Sequence, residues 1–231
     1  METLEPKIVS NVLGLYICAS IGNFNSKMLM EVKDRIIEQS MILFLRYGIK
    51  SITMDDIARE LGMSKKTLYQ YVDNKADLIE NIIRQHIDNE KMAIKMIRQY
   101  TKDAIEEMLM IAKHVIRLLR ETPPGLAYDL QKHYRPCWNL MEKFNQKHIY
   151  NVIKENIDKG VEQGIYRSDV NADIVAKLYV AKTSLVVDEE LFPLSDYNKE
   201  ALFKEYIDYH IHGIASPKGL KLLEKHTKNQ S

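Results

Sequence analysis

The chain has 231 residues, enough to bury a sizeable core as one large or two small modules. Its 45% hydrophobic and 28% charged residues, with only 9 Gly and 6 Pro, exclude a chain dominated by disorder and argue against a many-turned all-β fold. Lys and Arg number 33 against 32 Asp and Glu, so no whole-molecule field draws the protein to nucleic acid, and such affinity must come from a local patch.

The segment from Ile8 to Ile21 is apolar but too short to span a bilayer, and Ser10, Asn11 and Gly14 interrupt it. The opening Met1-Glu2-Thr3-Leu4-Glu5 lacks the basic start of a secretory signal. No membrane association is expected, and the cytoplasm is the expected location. Residues 1–29 read as an N-terminal extension, poorly structured or preceding a true start at Met28 or Met30.

From Val32 the apolar residues fall at helical spacing, with Ile36, Ile37, Leu43, Phe44 and Tyr47 as one stripe that Gly48 ends. Thr53-Met54-Asp55-Asp56 puts a hydroxyl at an N-cap and a carboxylate three residues on, which opens a second helix carrying Ile57, Ala58 and Leu61 inward as far as Gly62. Ser64 caps a third, from Lys65 to Asp73-Asn74, whose Leu68 and Val72 lie four apart on a buried face. A long helix is predicted from about Lys75 to Tyr100, and another from about Asp103 to Glu121, where Thr122-Pro123-Pro124-Gly125 breaks it. Pro136 suits the start of a helix ending near Gly160 or Gly164, and two more are expected over about Asn171–Glu190 and Asn198–His212. No alternating run competes as a strand, so the fold class is all-α.

Residues 53–72 have the helix, tight turn and second helix that DNA readers use, with small Ala58 where helices cross and Gly62 at the turn. Lys65, Lys66, Thr67, Tyr69, Gln70 and Tyr71 share the open face of the second helix with no acid among them. Lys65 and Lys66 can neutralise phosphates or reach guanine O6 and N7; Gln70 can pair with the adenine edge. Thr67 can donate to phosphate or touch a thymine methyl, and the tyrosines join a flat apolar body to a hydroxyl that reaches the DNA backbone. Thr53 and Lys75, opening the preceding and following helices, are expected to clamp phosphates on either side.

These residues carry a family resemblance. Arg35-Ile36-Ile37, Leu43-Phe44, Tyr47-Gly48, Ile52-Thr53-Met54-Asp55-Asp56-Ile57-Ala58, Leu61-Gly62-Met63-Ser64-Lys65-Lys66-Thr67-Leu68-Tyr69-Gln70-Tyr71-Val72 and Asn74-Lys75 to Leu78 together resemble the DNA-binding domain of the TetR family. The resemblance implies an N-terminal three-helix helix-turn-helix domain over residues 30–91, joined by a long helix to a larger helical ligand-binding and dimerisation domain over residues 92–231. It also implies a homodimeric, ligand-responsive repressor of a palindromic double-stranded DNA operator, with contacts on Thr53, Lys65, Lys66, Thr67, Tyr69, Tyr71 and Lys75. Val72 stands where the family more often has an aromatic residue.

Beyond about residue 91 the resemblance thins to architecture. Tyr128, Tyr134, Trp138 and Met141 are the expected walls of an effector pocket, and Met92, Met96, Met108, Met110 and Phe144 lie on helices that could surround it. The last two long helices are the expected dimer surface, through Ile174, Leu178, Val180, Ala181, Leu185, Phe203, Ile207 and His210, some of which must instead face the core.

Neither a metal site nor a cofactor is expected. Cys18 and Cys137 lack C-x-x-C spacing, and His86 with Glu90 lacks the second histidine of a zinc-protease motif. With no Gly-rich phosphate loop or nucleophile elbow, an enzyme is the weaker alternative. A helical protein-interaction adaptor is the other, and the basic, tyrosine-bearing helix speaks against it.

Overall fold

The computed structural model describes residues 32–228 except 124 and 187, so the expected extension at 1–29 lies outside the described residues. The fold among them is helical, in chain order α1 (Val32–Tyr47), α2 (Met54–Glu60), α3 (Lys65–Leu68), α4 (Lys75–Tyr100), α5 (Ala104–Glu121), α6 (Leu126–His133), α7 (Arg135–Phe144), a π-helical turn (Asn145–Ile149), α8 (Tyr150–Glu162), α9 (Ala172–Val186), α10 (Lys199–Ile214) and α11 (Pro217–Lys228). None of these helices is long and apolar enough to cross a membrane.

The chain forms two compact units. The first comprises the described residues up to Met96 together with Pro123–Leu140; the second comprises Ile97–Thr122 and the described residues from Met141 onward. A cut at 91/92 thus differs from the observed division, because Pro123–Leu140 packs with the first unit: Cys137 Sγ lies 3.9 Å from the Ala76 carbonyl oxygen and is buried.

In the first unit α1 buries Ile36, Ile37, Ser40, Leu43 and Phe44, the i, i+1, i+4, i+7, i+8 face of a helix. Tyr47 does not join them as its spacing suggested. It stands 50% exposed in the last turn with the Arg46 guanidinium over its ring, while Ile49 and Ile52 of the following loop supply buried apolar volume instead. Thr53 opens α2 with a full capping box: Asp56 N–H donates to Thr53 Oγ1 (3.2 Å), and Thr53 N–H donates back to Asp56 Oδ2 (2.9 Å). Gly62, at φ +65°, ends the helix as a Schellman turn, in which Gly62 N–H reaches Arg59 O and Met63 N–H reaches Ala58 O.

The second unit gathers around Ala104, Ile105 and Met108 of α5, Ile153 and Ile157 of α8, Tyr179 of α9, and Phe203, Ile207 and Ile211 of α10. Met108, expected near a ligand, is fully buried in this core. Glu107 is 1% exposed, and its charge is met by Lys159 Nζ at 2.8 Å and Arg98 Nε at 3.4 Å. The His210 ring, also buried, stands edge-on to Tyr179, and burial pushes its pKa down to about 4, with Lys182 adding in the same direction.

Helices α6 and α11 were not anticipated. The Pro-Pro-Gly sequence obscured the start of α6, where Gly125 adopts φ +79° and Asp129 N–H returns to its carbonyl. The signals for α11 were present: Pro217 takes the first position and Ser216 Oγ accepts from Gly219 N–H. An isolated bridge between Tyr166 and Ala215 brings the chain into α11, with Ser216 N–H donating to Ile165 O.

That junction is tight enough to test. A Cβ on Gly219 would sit 2.0 Å from the Ile165 carbonyl oxygen, whereas one on Gly213 would meet nothing within 4 Å. Gly219→Ala should therefore cost about 1–3 kcal/mol by overpacking against main chain. Gly213→Ala should be neutral or stabilising by up to about 1 kcal/mol, because alanine suits a helix interior better. Denaturant unfolding of both variants measures this, and equal midpoints would contradict the packing.

The capping box predicts a pH dependence. The Thr53 side-chain hydrogen bond, followed by its backbone N–H, holds the Asp56 carboxyl below its usual 3.8. The folded state therefore prefers the carboxylate, and this stabilisation is complete above pH 3.8 and vanishes as pH falls through the lowered folded value. Asp56→Ala should reduce the thermal midpoint at neutral pH, with the difference from the parent narrowing below that point.

Candidate nucleic-acid interface

The expected reading helix is shorter than its spacing implied. Regular α-helix covers only Lys65–Leu68; the chain then continues through turns, with Gln70 N–H on Thr67 O and both Tyr71 and Val72 N–H on Leu68 O. These bonds keep the side chains from 65 to 72 in near-helical succession. Leu68 is fully buried and Val72 2% exposed, so the segment is anchored on one side, as predicted.

Ser64 caps the turn, its Oγ accepting from Thr67 N–H at 3.0 Å and lying 2.8 Å from Thr67 Oγ1. Thr67 is thus half-buried and hydrogen-bonded within the cap. Lys66, Tyr69, Gln70 and Tyr71 stand exposed, the tyrosines at 41% and 36%. Flat rings that half-emerge beside a lysine and a carboxamide form a surface suited to base edges and phosphates.

Two of the expected contact lysines already have partners within the chain, one on the surface and one partly buried. Lys65 Nζ pairs with Asp55 of α2, at 2.9 and 3.0 Å from its two oxygens, and this bond raises the lysine pKa. The pair is exposed on both sides and so remains open to exchange with a phosphate. Lys75, expected as an outer clamp, turns inward instead: its Nζ donates to the Ile49 and Ile52 carbonyls, each at 2.5 Å, and lies 5.7 Å from the Phe44 ring centroid. Burial lowers its pKa, with Asp129 and Asp56 opposing. Thr53 is exposed, but its hydroxyl donates to Asp56 Oδ2 at 2.6 Å.

Sequence reasoning missed Asp55, because no local rule joins it to a lysine ten positions away. It also missed Asn74 as the cap of α4. Asn74 Oδ1 accepts from Ala76 and Asp77 N–H at 2.8 and 3.0 Å, and Asp77 Oδ2 accepts from Asp73 N–H at 2.9 Å. An asparagine followed three residues later by an acid was a usable signal.

The residues expected around an effector are scattered in character. Tyr128 is no wall of an interior: it is 54% exposed, and its hydroxyl accepts from Lys132 Nζ at 2.6 Å. Met92 is 64% exposed, whereas Phe144 is buried and stacks on His148 with centroids 5.3 Å apart. Tyr134, Trp138 and Met141 are half-buried at or along α7. Among the described residues, no group of three or more His, Cys, Asp or Glu is placed to hold a metal ion.

Comparison with known proteins agrees with this geometry. A model of the bacterial regulatory proteins of the tetR family matches residues 36–82, which span α1 to the first part of α4. The HTH-type transcriptional regulator YvaF of Bacillus subtilis is 26% identical over 191 residues, covering 79% of this chain and 95% of its own. The HTH-type transcriptional repressor KstR2 of Rhodococcus jostii is 21% identical over 189 residues, covering 80% and 92% respectively. Among solved structures, a transcriptional regulator from Saccharomonospora viridis in complex with choline shares the fold at a TM-score of 0.59 and 22% identity, over 80% of this chain and 97% of that one. A capped helix, Schellman turn and buried-backed segment, matched to that family model over residues 36–82 and to transcriptional regulators over most of their length, mark this chain as a DNA-binding transcriptional regulator with a TetR-type DNA-binding domain.

Proposed function

We propose that this regulator is a ligand-responsive repressor that grips a palindromic operator as a homodimer. The observation that carries the reading is the exposed Lys66–Tyr69–Gln70–Tyr71 face, backed by buried Leu68 and Val72 and free of acids. One such face makes too few base contacts for useful specificity, so two copies with two-fold symmetry must engage half-sites roughly 34 Å apart.

The surface for pairing is on α9. Ile174, Leu178, Ala181 and Leu185 recur at helical spacing and are exposed, the three larger ones at 46–52%. Tyr209 of α10 extends this apolar area, with Lys182 Nζ 4.7 Å from its ring centroid. Val180, Phe203, Ile207 and His210 belong instead to the core beneath, so the expected interface narrows to the outward half of the residues first considered. Apolar side chains left in water at this spacing are the pattern of a helix that pairs.

For the effector, the reading is supported by the choline-bound relative and by half-buried Tyr134, Trp138 and Met141, which are the residues to vary first. Repression is the direction named for KstR2. Ligand would act through its differential affinity for operator-fitting and non-fitting arrangements of the dimer.

Selection from a random duplex pool tests the central reading: an enriched palindrome is expected, and recovery of unrelated sequences would overturn it. On the selected duplex, Lys66→Ala should weaken binding to every sequence and reduce the log–log salt slope by about one, whereas Gln70→Ala should relax preference at one base pair. Leu178→Glu should convert the protein to a folded monomer in sedimentation and abolish operator binding; a variant that remained dimeric would remove α9 from the interface.

A further inference from the structure

Residues 65–72 contain no acid, yet one acid reaches this segment from α2. Asp55 holds the Lys65 ammonium with both carboxylate oxygens, at 2.9 and 3.0 Å. Lys66, the next residue along, makes no ion pair among the described residues.

The fold does not need this carboxylate. Thr53 and Asp56 close the capping box of α2, and Asp56 also meets the Arg59 guanidinium at 3.4 Å, so Asp55 is the acid of that turn left to face outward. The side chains of Lys65 and Asp55 are 53% and 57% exposed, and an ion pair so open to water adds little to stability. Its consequence falls instead on what the lysine can bind.

A phosphate and a base edge make different demands on that lysine. Phosphates line every duplex, so a lysine that neutralises one gives affinity without sequence preference. Here a phosphate must displace a carboxylate already in place and approach a second negative charge. Guanine O6 and N7 are neutral acceptors, and an ammonium has three protons, so Lys65 has one left to give while two remain on Asp55.

We propose that Asp55 is a positioning residue that sets sequence specificity through Lys65: it withholds this lysine from phosphates and directs it to a base edge. The assignment rests on the DNA reading proposed for this segment, and it adds the residue that governs the ratio of operator to non-operator binding.

Asp55→Asn keeps the side-chain size and lies outside the capping box, so its thermal midpoint should match that of the parent. On a random-sequence duplex its affinity should rise about tenfold at low salt, with a log–log salt slope steeper by about one, as Lys65 gains a phosphate. On the selected duplex the rise should be smaller, so the ratio of the two affinities falls. Asp55→Glu retains the charge and should retain the parent's ratio and slope. Made in a Lys65→Met background, Asp55→Asn should leave the slope where Lys65→Met alone puts it. Three outcomes overturn the proposal: an unchanged ratio in Asp55→Asn, the full slope change persisting without Lys65, or relaxed preference at a single C·G pair with no slope change, which would make Asp55 a direct base contact.

The pair itself is tested on the free protein. In limited lysine acetylation read by mass spectrometry, Lys65 of the parent should react more slowly than Lys66, and Asp55→Asn should remove the difference. Equal rates in the parent would also overturn the proposal. A parent that bound selected and random duplexes alike would instead defeat the DNA reading itself, so the two failures give different results.

Discussion

A single turn of helix has no stability of its own in water, because nucleation fixes several residues for one hydrogen bond. The proposed reading of DNA depends on holding such a turn, Lys65–Leu68, in one orientation. Burial of Leu68 and Val72 supplies the anchor, the cap at Ser64 satisfies a donor at the start of the segment, and Asn74 caps the α4 helix that follows it. Because the anchor uses positions 68 and 72, Lys66, Tyr69, Gln70 and Tyr71 stand exposed, and these make up the face proposed to read DNA.

The lysines of this unit show how one side-chain chemistry serves three purposes. Lys66 presents its charge to solvent, Lys65 shares its charge with Asp55, and Lys75 turns inward to main-chain carbonyls. Only position and neighbours distinguish them. A count of basic residues near a helix-turn-helix overstates the charge offered to DNA, and the geometry of each ammonium decides what remains.

The second unit is organised around a different problem, a carboxylate with almost no exposure. Glu107 would be costly to bury alone, and Lys159 from α8 with Arg98 from the end of α4 meet its charge from separate elements. Arg98 also pairs with Glu155 at 2.8 Å, which extends the network toward the surface. Beside it, Tyr166 donates weakly to Asn156 Oδ1 and Ala104 O, at 3.2 and 3.3 Å, so the polar groups of this core are linked to one another.

Much of the architecture follows from local rules. The stripe on α1, the Thr53–Asp56 box, the Gly62 turn and the inward pair Leu68 and Val72 are each written within a few neighbouring residues, because helix periodicity and capping act over one or two turns. The helix-turn-helix and the acid-free face could therefore be read from the sequence by itself. The inward turn of Lys75, the Asp55–Lys65 pair, the grouping of Pro123–Leu140 with the first unit and the division of α9 and α10 residues between core and surface could not. Each joins residues that sequence distance separates, or selects between two faces of one helix. Only the packed chain makes that selection, since the same side chain meets a carbonyl, a carboxylate or water according to what tertiary structure brings beside it.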